Sequence, residues 1–88
     1  MTLREKKILK AVLQYLHDAD RGQRTELQIH GGACAGFEGG APSVDELSFA
    51  MRLANGMQFI RGVSARFTGM KWNITDAGES ALLELNEN

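Results

Sequence analysis

The sequence predicts an α+β fold in which helices pack on a small three-stranded antiparallel sheet, in the order α-β-loop-α-β-β-α. Three observations carry that expectation. Apolar residues recur at helical spacing near the N-terminus, two further apolar stripes each follow a capping signal, and two runs rich in aromatic and β-branched residues flank a Thr68-Gly69 turn signal. A chain of 88 residues has room for one core, so residues 1–88 read as a single domain.

The first element is predicted from Ile8, Leu9, Val12, Leu13 and Leu16, which fall on one helix face. Thr2 with Glu5 three residues on gives its start a capping-box spacing, and the polar stretch from Asp18 to Gly22 ends it after about 16 residues. Thr25 to His30 alternates polar and apolar, with Leu27 and Ile29 on one side, the period of a short half-buried strand. Gly31 to Pro42 holds five of the ten glycines and reads as a loop. Ser43 and Glu46 form a second capping-box pair ahead of a helix from Val44 to Asn55. Its stripe is Val44, Leu47, Met51 and Ala54, and Gly56 is expected in the left-handed position just past it. Runs 58–64 and 70–74 read as an antiparallel hairpin, Trp72 and Ile74 sharing one face and Phe59 sharing another with Val63. Thr75 then caps a last helix that carries Asp76 and Glu79 in its first turn and Ala81, Leu82 and Leu85 on its apolar side.

Composition narrows the function classes. With 43% hydrophobic and 24% charged residues and one proline, the chain has the make-up of a folded globular domain. A core this small leaves little space for a deep catalytic pocket, so the expectation is a binding protein, not an enzyme, with no small-molecule substrate and no cofactor. No apolar run reaches membrane-spanning length and no apolar signal core opens the chain, which points to the cytoplasm. The single cysteine, Cys34, agrees with a reducing compartment. A net charge of −1 conceals an uneven distribution. From Leu47 through Thr75 the only charged residues are Arg52, Arg61, Arg66 and Lys71, whereas Asp76, Glu79, Glu84 and Glu87 gather in the last segment. Arg4, Lys6, Lys7 and Lys10 make a second basic group. Such local basic surface steers toward phosphate within about a Debye length.

Other chemistries find little support. The glycines of 31–40 lack the lysine and hydroxyl residue that a phosphate-cradling loop requires after its last glycine. His30 and Cys34 supply two metal ligands and His17 a third, short of the four that structural zinc takes. A Cys34 thiolate with His30 or His17 as base is the minimal nucleophilic pair, yet nothing beside it suggests an oxyanion site, and Cys34 reads as a small apolar side chain. His17 falls in the last turn of the first helix, a capping position, and Trp72, Phe59 and the methionines 51, 57 and 70 read as core.

Taken together, Glu26-Leu27-Gln28-Ile29 leading to Ser43-Val44-Asp45-Glu46-Leu47-Ser48, and the hairpin ending in Trp72-Asn73-Ile74-Thr75-Asp76-Ala77-Gly78, resemble winged helix-turn-helix domains. The likeness is to a small group of them in bacterial and phage genomes, and it spans nearly the whole chain. One departure is the glycine-rich 31–42 stretch, which stands where such domains carry a short second helix. The resemblance implies a DNA-binding, transcriptional-regulator-like domain with double-stranded DNA as partner. Val44 to Asn55 becomes the recognition helix, with Ser48, Arg52 and Asn55 toward bases or phosphates, and Arg61, Arg66 and Lys71 belong to the wing. Asp45, Glu46 and Phe49 on the same helix favour the alternative, a protein-interaction or dimerisation module without DNA binding. A homodimer is compatible with both.

Overall fold

The computed structural model describes residues 2–19, 23–33, 37, 39–65 and 69–87. Its elements are α1 (Leu3–Asp18), β1 (Arg24–Thr25), α2 (Glu26–Ala33), α3 (Val44–Gly56), β2 (Ile60–Ala65), β3 (Gly69–Ile74) and α4 (Asp76–Glu87). The fold is α+β, four helices with a three-stranded antiparallel sheet in the order β1-β3-β2.

Helix α1 is the hub, packing against α2, α3, α4 and β3. Its predicted stripe is its buried face, and Thr2 and Glu5 exchange the two bonds of a capping box. Around it close Ile29, Leu47, Ala50, Met51, Ala54, Ile60, Ile74 and Leu82, with Tyr15, Phe37, Phe59 and Trp72 packed at the margin.

The expected strand over Thr25–His30 is a correction: only Arg24 and Thr25 pair with β3, opposite Trp72 and Lys71, and Glu26–Ala33 is helix α2. The reason is local. The Thr25 hydroxyl accepts from Gln28 N–H at 3.2 Å while the Gln28 side chain accepts from Thr25 N–H at 2.9 Å, a capping box that starts a helix. Two residues apart on a helix lie about 200° apart, so Leu27 (81% exposed) and Ile29 (fully buried) do not share a face. Residues 31–33 of the predicted loop therefore belong to the helix. A Cβ at Gly32 inside α2 would overlap the Tyr15 ring of α1, so any larger residue there forces that ring to shift. Cys34 lies outside the described residues.

Helix α3 has the predicted Ser43/Glu46 capping box, but its first residue, Val44, is 63% exposed and Ala50 takes its place in the stripe. The helix runs through Gly56, and the left-handed residue after it is Gln58 (φ 64), not Gly56. A left-handed conformation costs a residue with a Cβ more than it costs glycine. Gln58→Gly therefore raises stability by about 0.5–1 kcal/mol, read as a rise in urea midpoint at unchanged m-value. The backbone bonds of Gln58 to Asn55 O and from Thr75 Oγ1 survive that change.

The hairpin pairs Ile60 with Ile74 and Ala65 with Gly69, one residue longer at the turn than expected. Ile60 and Ile74 are buried and Trp72 packs on the core. Val63, opposite Lys71, points away from it and is 41% exposed, so Phe59 and Val63 do not make a common core face. Helix α4 begins on Thr75, whose hydroxyl accepts from Gly78 N–H and donates to Gln58 O. No helix among the described residues is long and apolar enough to cross a membrane.

Candidate nucleic-acid interface

The sequence-predicted residues divide by what holds them. Arg52 is exposed on α3 opposite its buried stripe, and Asn55 is exposed at the flank of that stripe. Ser48 is not free: its hydroxyl donates to the Glu26 carboxylate of α2 at 3.0 Å, so it latches α2 to α3. The His30 ring contacts Pro42 O at 3.0 Å and fastens the chain to α2 just before the α3 cap. These two bonds fix the angle at which α3 presents its outer face.

On the hairpin, strand alternation puts Arg61, Val63, Lys71 and Asn73 on the face away from Ile60, Ile74 and Trp72. Arg61 stands opposite Asn73 and diagonal to Lys71, a separation of about 7–8 Å in an antiparallel pair. Arg61 is exposed and Lys71 half-buried. Asn55, from the end of α3, and Arg61 line one groove with Gln58, Thr75 and Asp76. The fold thus connects the end of α3 to the cationic face of the hairpin through Asn55, Arg61 and Lys71. Arg66 lies outside the described residues.

Two features were beyond sequence reasoning. Arg4 of α1 grips Glu46 of α3 with both forks of its guanidinium, Nε to Oε2 at 2.5 Å and the second nitrogen to Oε1 at 3.2 Å, and its charge sits 5.7 Å from the Phe37 ring centre. The bonds from Arg4, and then from Ser43 N–H, hold the Glu46 carboxyl down at about 2. A depressed carboxylate stabilises the fold above its unfolded pKa, so this contribution is complete above about pH 4.5 and fades as pH falls toward 2. Of the two acids that open α3, only Asp45 is left outside that ion pair. Glu46 was recognisable as a capping residue, but its partner 42 positions away was not. The second feature is a groove of about 400 Å³ between the starts of α1 and α3, lined by Ile8, Ala50 and Phe49 together with Arg4, Glu5, Asp45 and Glu46.

His17, expected to act as a helix cap, contacts Glu79 of α4 at 3.1 Å. Among the described residues, no group of three His, Cys, Asp or Glu side chains is placed to hold a metal ion. No protein-family model, no curated protein and no solved structure matches the chain.

Proposed function

We propose that the chain is a winged helix-turn-helix domain that binds double-stranded DNA, with α2 and α3 as the helix-turn-helix and the β2–β3 hairpin as the wing, in a cytoplasmic regulator-like protein. The order α1-β1-α2-α3-β2-β3-α4 and the sheet order β1-β3-β2 support the architecture. Helix α2 supplies the short second helix whose absence the sequence suggested. The observation that carries the functional reading is that Asn55, from the end of α3, and Arg61, on the wing, share one groove, which Asp76 also lines, with Lys71 diagonal to Arg61 across the hairpin. Arg52 is also exposed on α3.

Such a surface binds by phosphate neutralisation and counterion release, with a log-log salt slope of about −0.9 per contact. Phosphate contacts from Arg61 and Lys71 give a slope near −1.8, so raising salt from about 50 to 200 mM weakens binding roughly 12-fold. Fluorescence anisotropy with short duplexes measures this directly. Arg61→Glu weakens all duplexes alike, whereas Arg52→Ala also changes sequence preference. Absence of binding at low salt, or two variants that bind as the parent does, defeats the assignment.

The α1/α3 groove with Phe49 and Asp45 favours one other reading, a protein-interaction module. That module makes no salt-sensitive complex with duplex DNA, so the same titration separates the two.

A further inference from the structure

The outermost line of α3 is Asp45, Phe49 and Arg52, at i, i+4 and i+7, facing away from Leu47, Ala50, Met51 and Ala54. Phe49 is 44% exposed, an unusual position for an aromatic on a polar helix face. The Arg4–Glu46 pair withdraws the neighbouring acid from this line, which leaves one carboxylate, one aromatic ring and one guanidinium along it. Phe49 and Arg52 are three residues apart, so their Cβ atoms are about 5–6 Å apart on the same face. Base pairs stack at about 3.4 Å, so two such side chains reach neighbouring base pairs.

The apolar group that a major groove offers is the 5-methyl of a pyrimidine, and the group best matched to a guanidinium is the O6/N7 edge of guanine. Resting on the DNA-binding reading above, we infer that Phe49 and Arg52 together recognise a 5-methylpyrimidine next to a guanine, the methyl against the Phe49 ring and the guanine on Arg52. Thymine and 5-methylcytosine share that methyl. Asp45, one turn earlier, finds its match in an exocyclic amino group at a base edge, because the phosphates on either side repel it.

The test uses five duplex pools, identical except for a central TpG, UpG, 5-methyl-CpG, CpG or TpA step within randomised flanks, titrated by anisotropy at about 50 mM salt. The parent protein binds T over U, 5-methylcytosine over cytosine, or both, by about four-fold, the contribution of one buried methyl. A preference in only one pair identifies the base and supports the inference. Phe49→Ala removes the preference while keeping salt-sensitive binding, and Phe49→Leu retains part of it. Arg52→Ala keeps the methyl preference but no longer distinguishes TpG from TpA. Equal binding within both pairs overturns the inference and leaves the DNA reading standing, as does a methyl preference that survives in Phe49→Ala. No binding of any pool overturns both.

Discussion

Gly78→Ala lowers the stability of the domain by about 3 kcal/mol, the upper part of the range for overpacking a core. A Cβ at Gly78 would lie 2.8 Å from Ile74 Cγ1 and 2.9 Å from the Phe59 carbonyl carbon, and closer still to Phe59 O. A flexible side chain could turn aside, but the Phe59 carbonyl is backbone. It is held by the Thr75 N–H at 3.0 Å, inside the joint where α3, β2 and α4 meet. Relief requires α4 to move away as a body, which pulls Leu82 from the core and strains the Thr75 hydroxyl bonds to Gln58 and Gly78. For 88 residues the whole stability is roughly 4–13 kcal/mol, so the loss is a large share of it. Thermal unfolding followed by circular dichroism should fall by about 12–24 °C. Gly56→Ala is the contrast: it is a helical position with nothing within 4 Å of the added carbon, and it stabilises slightly. An unchanged midpoint in Gly78→Ala would mean that α4 is not seated against Phe59.

The same joint explains why some of the fold was legible in the sequence and some was not. Thr75 was readable as a cap because that signal is local. So were the stripe of α1, with five buried residues, and three of the four buried residues of α3, where one period is sustained over several turns. Helix α2 is only eight residues long and buries only Ile29, too little to declare a period. Leu27 and Ile29 satisfy strand alternation as well as they satisfy a helix with one side exposed, and the deciding bonds are the reciprocal ones between Thr25 and Gln28. At the site, the basic bias of 47–75 was visible as composition. What was invisible was the pairing that engages side chains across the fold. Ser48 meets Glu26 across 22 positions and Glu46 meets Arg4 across 42, and no local pattern encodes either partner. The partners of Ser48 and Glu46 were missing from the sequence reading for that one reason.

Ile29→Ala costs about 2–4 kcal/mol, while Leu27→Ala is within about 0.5 kcal/mol of neutral. The contrast follows from exposure: Ile29 is fully buried in the α1-centred core and Leu27 is 81% exposed. Had the segment been the strand that its alternation suggested, the two side chains would lie on one face and their truncations would cost alike. Urea titration of both variants therefore tests the helical assignment as well as the packing. Ile29 also has a role that its energy understates, because it is the one buried apolar anchor of α2. The other described ties of α2 are polar or marginal: Glu26 with Ser48, His30 with Pro42, and Gly32 beneath Tyr15. Loss of the anchor lets α2 open locally before the domain unfolds, so its amides lose hydrogen-exchange protection ahead of those of α1. Since Ser48 and the α3 cap are oriented through α2, the presentation of Arg52 loosens with it. On the DNA-binding reading proposed above, duplex affinity then falls in Ile29→Ala under conditions where the domain is still folded, and it stays at the parental value in Leu27→Ala. Equal affinity in both variants would show that α3 is held by α1 and the sheet without help from α2.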